Sequence, residues 1–179
     1  MGFDKATLRF EGETLLDRAL ARLDTVCDPV FVAPGDLALT VVGRASVADA
    51  MPESGPLGGL VMALRASPHR LLAVVAVDLP WVDPRLISLL ADSIGAHDVA
   101  VCESAHGIEP LHAVYATSLL KAAETALGSD DRSLRRLIVR SNALYLSEDE
   151  WRTAGIADAF TRNVNTPGDL EEVSQGLRR

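Results

Sequence analysis

Residues 71–80 read Leu71-Leu72-Ala73-Val74-Val75-Ala76-Val77-Asp78-Leu79-Pro80, the longest apolar run in the chain, closed by a carboxylate and a turn. The run is of strand length and falls well short of the roughly 18–20 apolar residues a membrane span requires. A strand covered on both faces loses its polar alternation, so Leu71–Val77 is the expected centre of a sheet with helices on either side. Asp78 then stands just past the carboxyl end of that strand, where open α/β sheets bind their ligands.

Working outward, β-rich runs and helical patterns alternate along the chain. Upstream, Gly55-Pro56-Leu57-Gly58-Gly59 leads into a helix through about Arg65. Before it, Ala38–Val47 holds one or two short strands around Gly43, and Val30–Val32 is a buried strand followed by a Pro34-Gly35-Asp36 turn. Thr14 can cap a helix running to about Asp24, with Leu15, Leu16, Ala19, Leu20 and Leu23 on one face. Thr7–Phe10 is a short strand. Downstream, Asp83-Pro84 pairs a cap with a proline at the first helical position, and that helix runs to about Asp92. Val99–Cys102 and Pro110–Tyr115 form a hairpin about His106-Gly107. A helix from Thr117 to Leu127 stops at Gly128, Ser133–Val139 is a further helix, and Ala143–Leu146 is a strand. Arg162–Val164 is a closing strand, and Thr166-Pro167-Gly168-Asp169 opens a last helix. The alternation predicts one α/β domain over residues 1–179: a doubly wound, mostly parallel sheet with helices on both faces.

Composition narrows the partners. The net charge is −8 and the basic residues are scattered, which argues against a nucleic-acid backbone. The N-terminus has neither a basic region nor an apolar one, and the two cysteines, Cys27 and Cys102, lie far apart without metal spacing. Free thiols in the cytoplasm, away from membranes, are the expectation. The 4 histidines include no pair at metal spacing, and no Ser/His/Asp order stands out. A zinc site or an acyl-transfer triad has no support.

The candidate residues follow from position. A hard cation such as Mg²⁺ takes one or two carboxylates beside phosphate oxygens, which suits a lone Asp78; a chain turn before proline is its bland alternative. The amides of Gly55–Gly59 can approach a ligand closely at a helix N-terminus, or simply make a tight turn. Lys5, one of two lysines in the chain, and Arg9 can neutralise charge on a phosphate leaving group, or merely be exposed. Asn163 and Asn165 fall on the same side of a strand and can meet one ligand, or serve a turn.

Together and in order, five segments resemble the molybdenum cofactor guanylyltransferases over essentially the whole chain. They are Met1-Gly2-x-Asp4-Lys5, Asp49 ahead of Gly55-Pro56-Leu57-Gly58-Gly59, Asp78-Leu79-Pro80, Glu109-Pro110-Leu111-His112-Ala113-Val114-Tyr115, and Phe160-x-x-Asn163-Val164-Asn165-Thr166-Pro167-x-Asp169-Leu170. The resemblance implies a Rossmann-like nucleotidyltransferase that moves GMP from GTP to molybdopterin cofactor and releases pyrophosphate. It implies that Lys5 and Asp78 are catalytic, Lys5 at the phosphates and Asp78 holding Mg²⁺. Asp49 and the Gly55, Pro56, Leu57 and Gly58 segment belong to the nucleotide site, with Arg132, Asn163 and Asn165 facing the pterin. Such chemistry needs positioning and charge neutralisation more than a reactive side chain.

Two departures stand out. Glu109 occupies a position where the family suggests glutamine. The family also opens with a strand and a loop of the form Leu-x-Gly-Gly-x-Ser-x-Arg-Met-Gly, whereas this sequence starts at the Met-Gly, so the first strand and the phosphate-binding glycines are expected to be missing. Three readings share these residues: a guanylyltransferase with its start placed at an internal methionine, a truncated non-catalytic relative, and a sister enzyme using CTP or a sugar phosphate. The Asn-x-Asn-Thr-Pro segment favours the first over the third.

Overall fold

Several helices begin where a side chain caps them. Thr14 Oγ1 accepts a 3.0 Å hydrogen bond from the Asp17 amide and opens α1 (Leu15–Leu23). Asp83 accepts from the Arg85 amide at 2.9 Å, with Pro84 next, and opens α3 (Pro84–Ser93). Ser133 does the same for α5 (Leu134–Arg140), and Gly128 closes α4 (Leu120–Leu127). One helix lies where sequence reading had placed none: α6 (Glu148–Thr153), whose Glu150 carboxylate accepts from the Ser147 amide and hydroxyl at 2.8 and 2.6 Å.

The computed structural model describes residues 5–33, 45–47, 54–105, 107–161 and 169. A small hairpin of β1 (Arg9–Phe10) and β2 (Glu13–Thr14) precedes α1. The helix α2 (Gly55–Ala66) leads into a four-stranded sheet of β3 (Leu71–Val75), β4 (Val99–Ser104), β5 (Gly107–Ala116) and β6 (Ala143–Leu146), in the order β3-β5-β4-β6. β3, β4 and β6 point one way, while β5 runs against both of its neighbours as the return limb of the β4–β5 hairpin. The mostly parallel, doubly wound expectation therefore holds for strand direction, with one reversed strand inside the sheet.

Alternation sorts the strands' side chains onto two layers. Val99 and Val101 of β4 and Ala113 and Tyr115 of β5 pack with α2, α4 and α5. Ala100, Cys102, Val114 and Ala116 face the other way, onto α3, Trp151 of α6 and Phe160. The core is thus sandwiched between helices on both faces.

The expected sheet centre needs correction. Among the described strands β3 stands at the end of the order, and β5 and β4 are central. β3 reads as a central strand because helices cover both of its faces: Leu72 and Val74 meet the α2 layer, Leu71, Ala73 and Val75 the α3 layer. Lost alternation reports covered faces and says nothing of lateral neighbours. Val30–Val32, expected as a strand, contributes an isolated parallel bridge from Val32 to Ser46. The closing strand and last helix expected over 162–179 lie outside the described residues, apart from residue 169.

Candidate active site

In a crossover topology each helix that feeds a strand starts at the strands' carboxyl edge. α2 runs back to the start of β3, and α5 to the start of β6, so Gly55 and Arg132 both stand at that edge. Asp78 reaches it from the other direction, in the turn that follows β3.

That turn is held firmly. The Ala76 amide still donates to the Leu111 carbonyl at 2.8 Å, and the Leu79 amide turns back to the Ala76 carbonyl at 3.3 Å. Leu79, Pro80 and Val82 are buried. Two arginines of α1 grip its far side: Arg18 Nε donates to the Pro80 carbonyl at 3.1 Å and Arg22 to the Val82 carbonyl at 3.2 Å. Asp78 is half-buried within this frame.

The N-terminal segment docks on the same turn. Lys5 begins a 3-10 turn over Lys5–Thr7, and Leu8, Phe10 and Leu15 pack with Val77 and Trp81. The Phe10 and Trp81 rings meet edge to face at 5.6 Å. Arg9 lies on the far side of this packing, where it donates to the Gly12 carbonyl at 3.1 Å and closes the β1–β2 turn.

At the start of α2, Gly55 has φ +59°, a left-handed conformation that L side chains adopt at a cost, and nothing lies within 4 Å of where a Cβ would project. Gly55 and Pro56 are exposed, whereas Leu57 is fully buried in the core and Gly58 is buried beside it. Leu57 therefore offers a ligand its backbone rather than its side chain. Arg132 is exposed, one residue before the cap of α5. Arg135, one turn on, closes over the β4–β5 hairpin: a Cβ on Gly107 would come within 3.0 Å of its guanidinium. The structure thus gathers the Lys5 segment, the start of α2 and the Asp78 turn at the end of β3, with Arg132 further along the same edge. Asp49, Asn163 and Asn165 lie outside the described residues.

Sequence reasoning gave His112 no role of its own and read Asp83 only as a helix cap, which it is. His112 is fully buried on β5 beside the end of β3, edge to face with Phe160 at 5.2 Å. Burial pushes its pKa down to about 4, against weaker opposing pulls from the Phe160 backbone and Asp83. Asp83 is held below the usual carboxylate range, first by its hydrogen bond from the Arg85 side chain, and it is committed to capping α3. Burial raises Cys102 to about 12, so that thiol is inert at neutral pH. No group of three or more His, Cys, Asp and Glu side chains clusters to hold a metal among the described residues. What this edge offers among the described residues is the half-buried carboxylates of Asp78 and, on β5, Glu109, the exposed backbone at Gly55 and Pro56, and the exposed Arg132. That donor set suits phosphate chemistry.

A sheet with two helical layers and such an edge has the architecture of α/β nucleotidyltransferases. The fold is shared with the molybdopterin-guanine dinucleotide biosynthesis protein A of Archaeoglobus fulgidus, at TM-score 0.74 and 20% identity, covering 99% of this chain and 92% of that one. It is shared also with the 2-C-methyl-D-erythritol 4-phosphate cytidylyltransferase of Thermus thermophilus, at TM-score 0.71 and 18% identity, covering 99% and 95%. The family model of the MobA-like NTP transferase domain matches residues 1–144, and the chain belongs to that family, whose members are nucleotidyltransferase enzymes. Two similar relatives carry the name probable molybdenum cofactor guanylyltransferase. The one from Opitutus terrae is 34% identical over 183 residues, covering 96% of this chain and 87% of its own length. The one from Chloroflexus aggregans is 31% identical over 183 residues, covering 98% and 88%.

Proposed function

We propose that this protein transfers GMP from GTP to molybdopterin cofactor. A phosphate oxygen of the acceptor forms a bond to the α-phosphorus of GTP, and the bond to pyrophosphate breaks. The observation that carries the reading is Asp78, half-buried on a turn pinned by two α1 arginines at the carboxyl edge of the sheet. The names of the relatives at about 30% identity supply the substrate pair.

A lone carboxylate fits Mg²⁺, which completes its six ligands with phosphate oxygens and water rather than with a cage of side chains. Asp78 would hold it, and the ion when bound supplies charge neutralisation at the phosphates. Lys5 would add an ammonium there, worth most in the transition state as charge builds on the leaving pyrophosphate. Backbone groups of Gly55, Pro56, Leu57 and Gly58, with Asp49, bind the nucleotide. Arg132, Asn163 and Asn165 orient the pterin acceptor so that its phosphate attacks in line. The two cysteines, both free, suit a cytoplasmic enzyme.

The cytidylyltransferase of the same fold keeps CTP as a second reading. Pyrophosphate release measured with molybdopterin and either GTP or CTP separates the two. Turnover with GTP alone supports the proposal. Turnover with CTP alone, or with neither nucleotide in the presence of Mg²⁺, overturns it.

A further inference from the structure

The ladder between β4 and β5 breaks near the carboxyl edge of the sheet. Val101 pairs with Ala113 and Glu103 with Ile108, so Cys102 alone stands opposite four residues of β5: Glu109, Pro110, Leu111 and His112. On its other side β5 still keeps step. His112 pairs with Val75, and the Leu111 carbonyl accepts from the Ala76 amide at 2.8 Å. The slack in β5 therefore falls on Glu109 and Pro110, and a proline there has no N–H to offer a ladder. A bulge of this kind re-aims the side chains it carries.

The bulge is held from both helical layers. On the α2 side, the buried Tyr115 donates its hydroxyl to the Pro110 carbonyl at 2.6 Å, and burial raises its pKa, so the phenol stays a donor. On the α3 side, Trp151 Nε1 donates to the Glu103 carbonyl at 3.0 Å. The last pairs made by β3 and β6 are Val75 with His112 and Leu146 with Cys102. Beyond them β4 and β5 continue alone, as a two-stranded arm past the carboxyl edge, closed by the Ser104 hydroxyl on the Gly107 carbonyl at 3.1 Å. Ile108 and Leu111 pack into the α2 layer. Glu109 is half-buried near Cys102 of the opposite layer, whose thiol is raised by burial and then by the Glu109 charge.

In the order of the sheet, β5 stands between β3, which carries the Asp78 turn, and β4, with β6 and the Arg132 edge beyond. Glu109 thus lies one strand in from Asp78, toward Arg132. A carboxylate only accepts hydrogen bonds and repels phosphate oxygens, so it suits a part of a ligand that carries N–H groups and no negative charge. The acceptor in the proposed reaction has such a part. Its pterin ring presents a ring N–H and an amino group side by side, a pair of donors matched to the two oxygens of one carboxylate. We propose that Glu109 reads this edge of the pterin ring while the acceptor's phosphate lies at the Asp78 turn, and that Tyr115 is the positioning residue that sets the bulge at Glu109 and Pro110. The identity of the acceptor rests on the GMP-transfer reading; the demand for a donor edge comes from Glu109 itself. A glutamine here would set its own N–H against one of the ring's donors, so glutamate sharpens the selection for such rings.

Steady-state GMP transfer at varied molybdopterin, beside fluorescence quenching of free pterin, tests this. Glu109→Gln and Glu109→Ala are each expected to raise the molybdopterin KM about 10–100-fold, the scale of losing hydrogen bonds to a charged group. Melting, the GTP KM and kcat at saturating acceptor should stay near parental. Tyr115→Phe keeps the ring and deletes the hydroxyl. It is expected to raise the same KM and to add little in a double variant with Glu109→Gln; full additivity would remove Tyr115 from the positioning role. Quenching of free pterin should weaken in parallel, and it is scored apart from turnover. Pterin binding that depends on Glu109, without GMP transfer, overturns the reaction reading and upholds this one. Unchanged molybdopterin KM and pterin affinity in both Glu109 variants overturn the proposal, as does a parent that binds pterin no better than Glu109→Ala. A loss repaired by added Mg²⁺ would make Glu109 a metal ligand, and a change only in the preference for GTP over ITP, which lacks the amino group, would put it at the nucleotide base. Either result overturns the proposal as well.

Discussion

Arg18 on α1 donates from Nε to the carbonyl of Pro80 at 3.1 Å, across 62 positions of sequence, and so fixes the turn that carries Asp78. The same guanidinium lies 4.9 Å from the centre of the Phe10 ring and 3.2 Å from the Glu11 carboxylate. One side chain thus locks helix, hairpin and turn together.

Replacing Arg18 with alanine is expected to cost about 1–3 kcal/mol, because a largely buried charge-assisted hydrogen bond and a cation–π contact are lost while the exposed ion pair adds little. Turnover is expected to fall further than stability, since the Asp78 turn loosens. Arg18→Lys lacks the planar fork and should restore little. Thermal melting beside GMP-transfer rates checks both; a variant that loses stability but keeps full turnover would separate Arg18 from the site.

Asp78→Asn is expected to reduce Mg²⁺-dependent GMP transfer by at least ~100-fold, the scale of losing one preorganised electrostatic group. Its melting temperature should stay close to that of the parent, because the amide is nearly the same size. Near-parental turnover would remove Asp78 from the metal role.

His112 makes a prediction about pH. Its folded pKa of about 4 lies below its ordinary value of 6.5, so between these values the unfolded chain binds the extra proton. Stability is expected to be unaffected above pH ~6.5 and to decline as pH falls toward ~4, with ~3 kcal/mol lost from this residue below that. Denaturant midpoints from pH 7 to pH 4 read the slope. His112→Leu should flatten it, and an unchanged slope would show that other groups cause the loss.

Gly55→Ala puts a side chain on a residue with φ +59° where there is open space around it, so strain alone is added. A cost of about 1–2 kcal/mol is expected, together with weaker GTP binding as the start of α2 shifts. Calorimetric titration with GTP and Mg²⁺ checks the second part. Unchanged affinity would remove these amides from the nucleotide site.

The local elements were legible because their signals are local. Thr14, Asp83-Pro84 and Ser133 cap the helices they introduce, and Gly128 ends one. The hairpin of β4 and β5 could be read from two apolar runs about a glycine. Ser147 and Glu150 carried an equally readable capping signal for α6. Asp78 could be found because a carboxylate that ends an apolar run marks the strand's carboxyl end.

The order of strands lay beyond local reading. β3 and β4 look alike as apolar runs, yet β5 separates them, and only backbone pairing decides who neighbours whom. The grip of Arg18 on Pro80 and the burial of His112 depend on segments far apart in sequence meeting in space. Sequence determined most of the strands and helices and the place of Asp78 just past the end of β3, because turns, caps and side-chain periodicity act over a few residues. Tertiary structure alone decided which backbone edges are paired and which are open, because hydrogen bonds between strands carry no mark on the side chains that flank them.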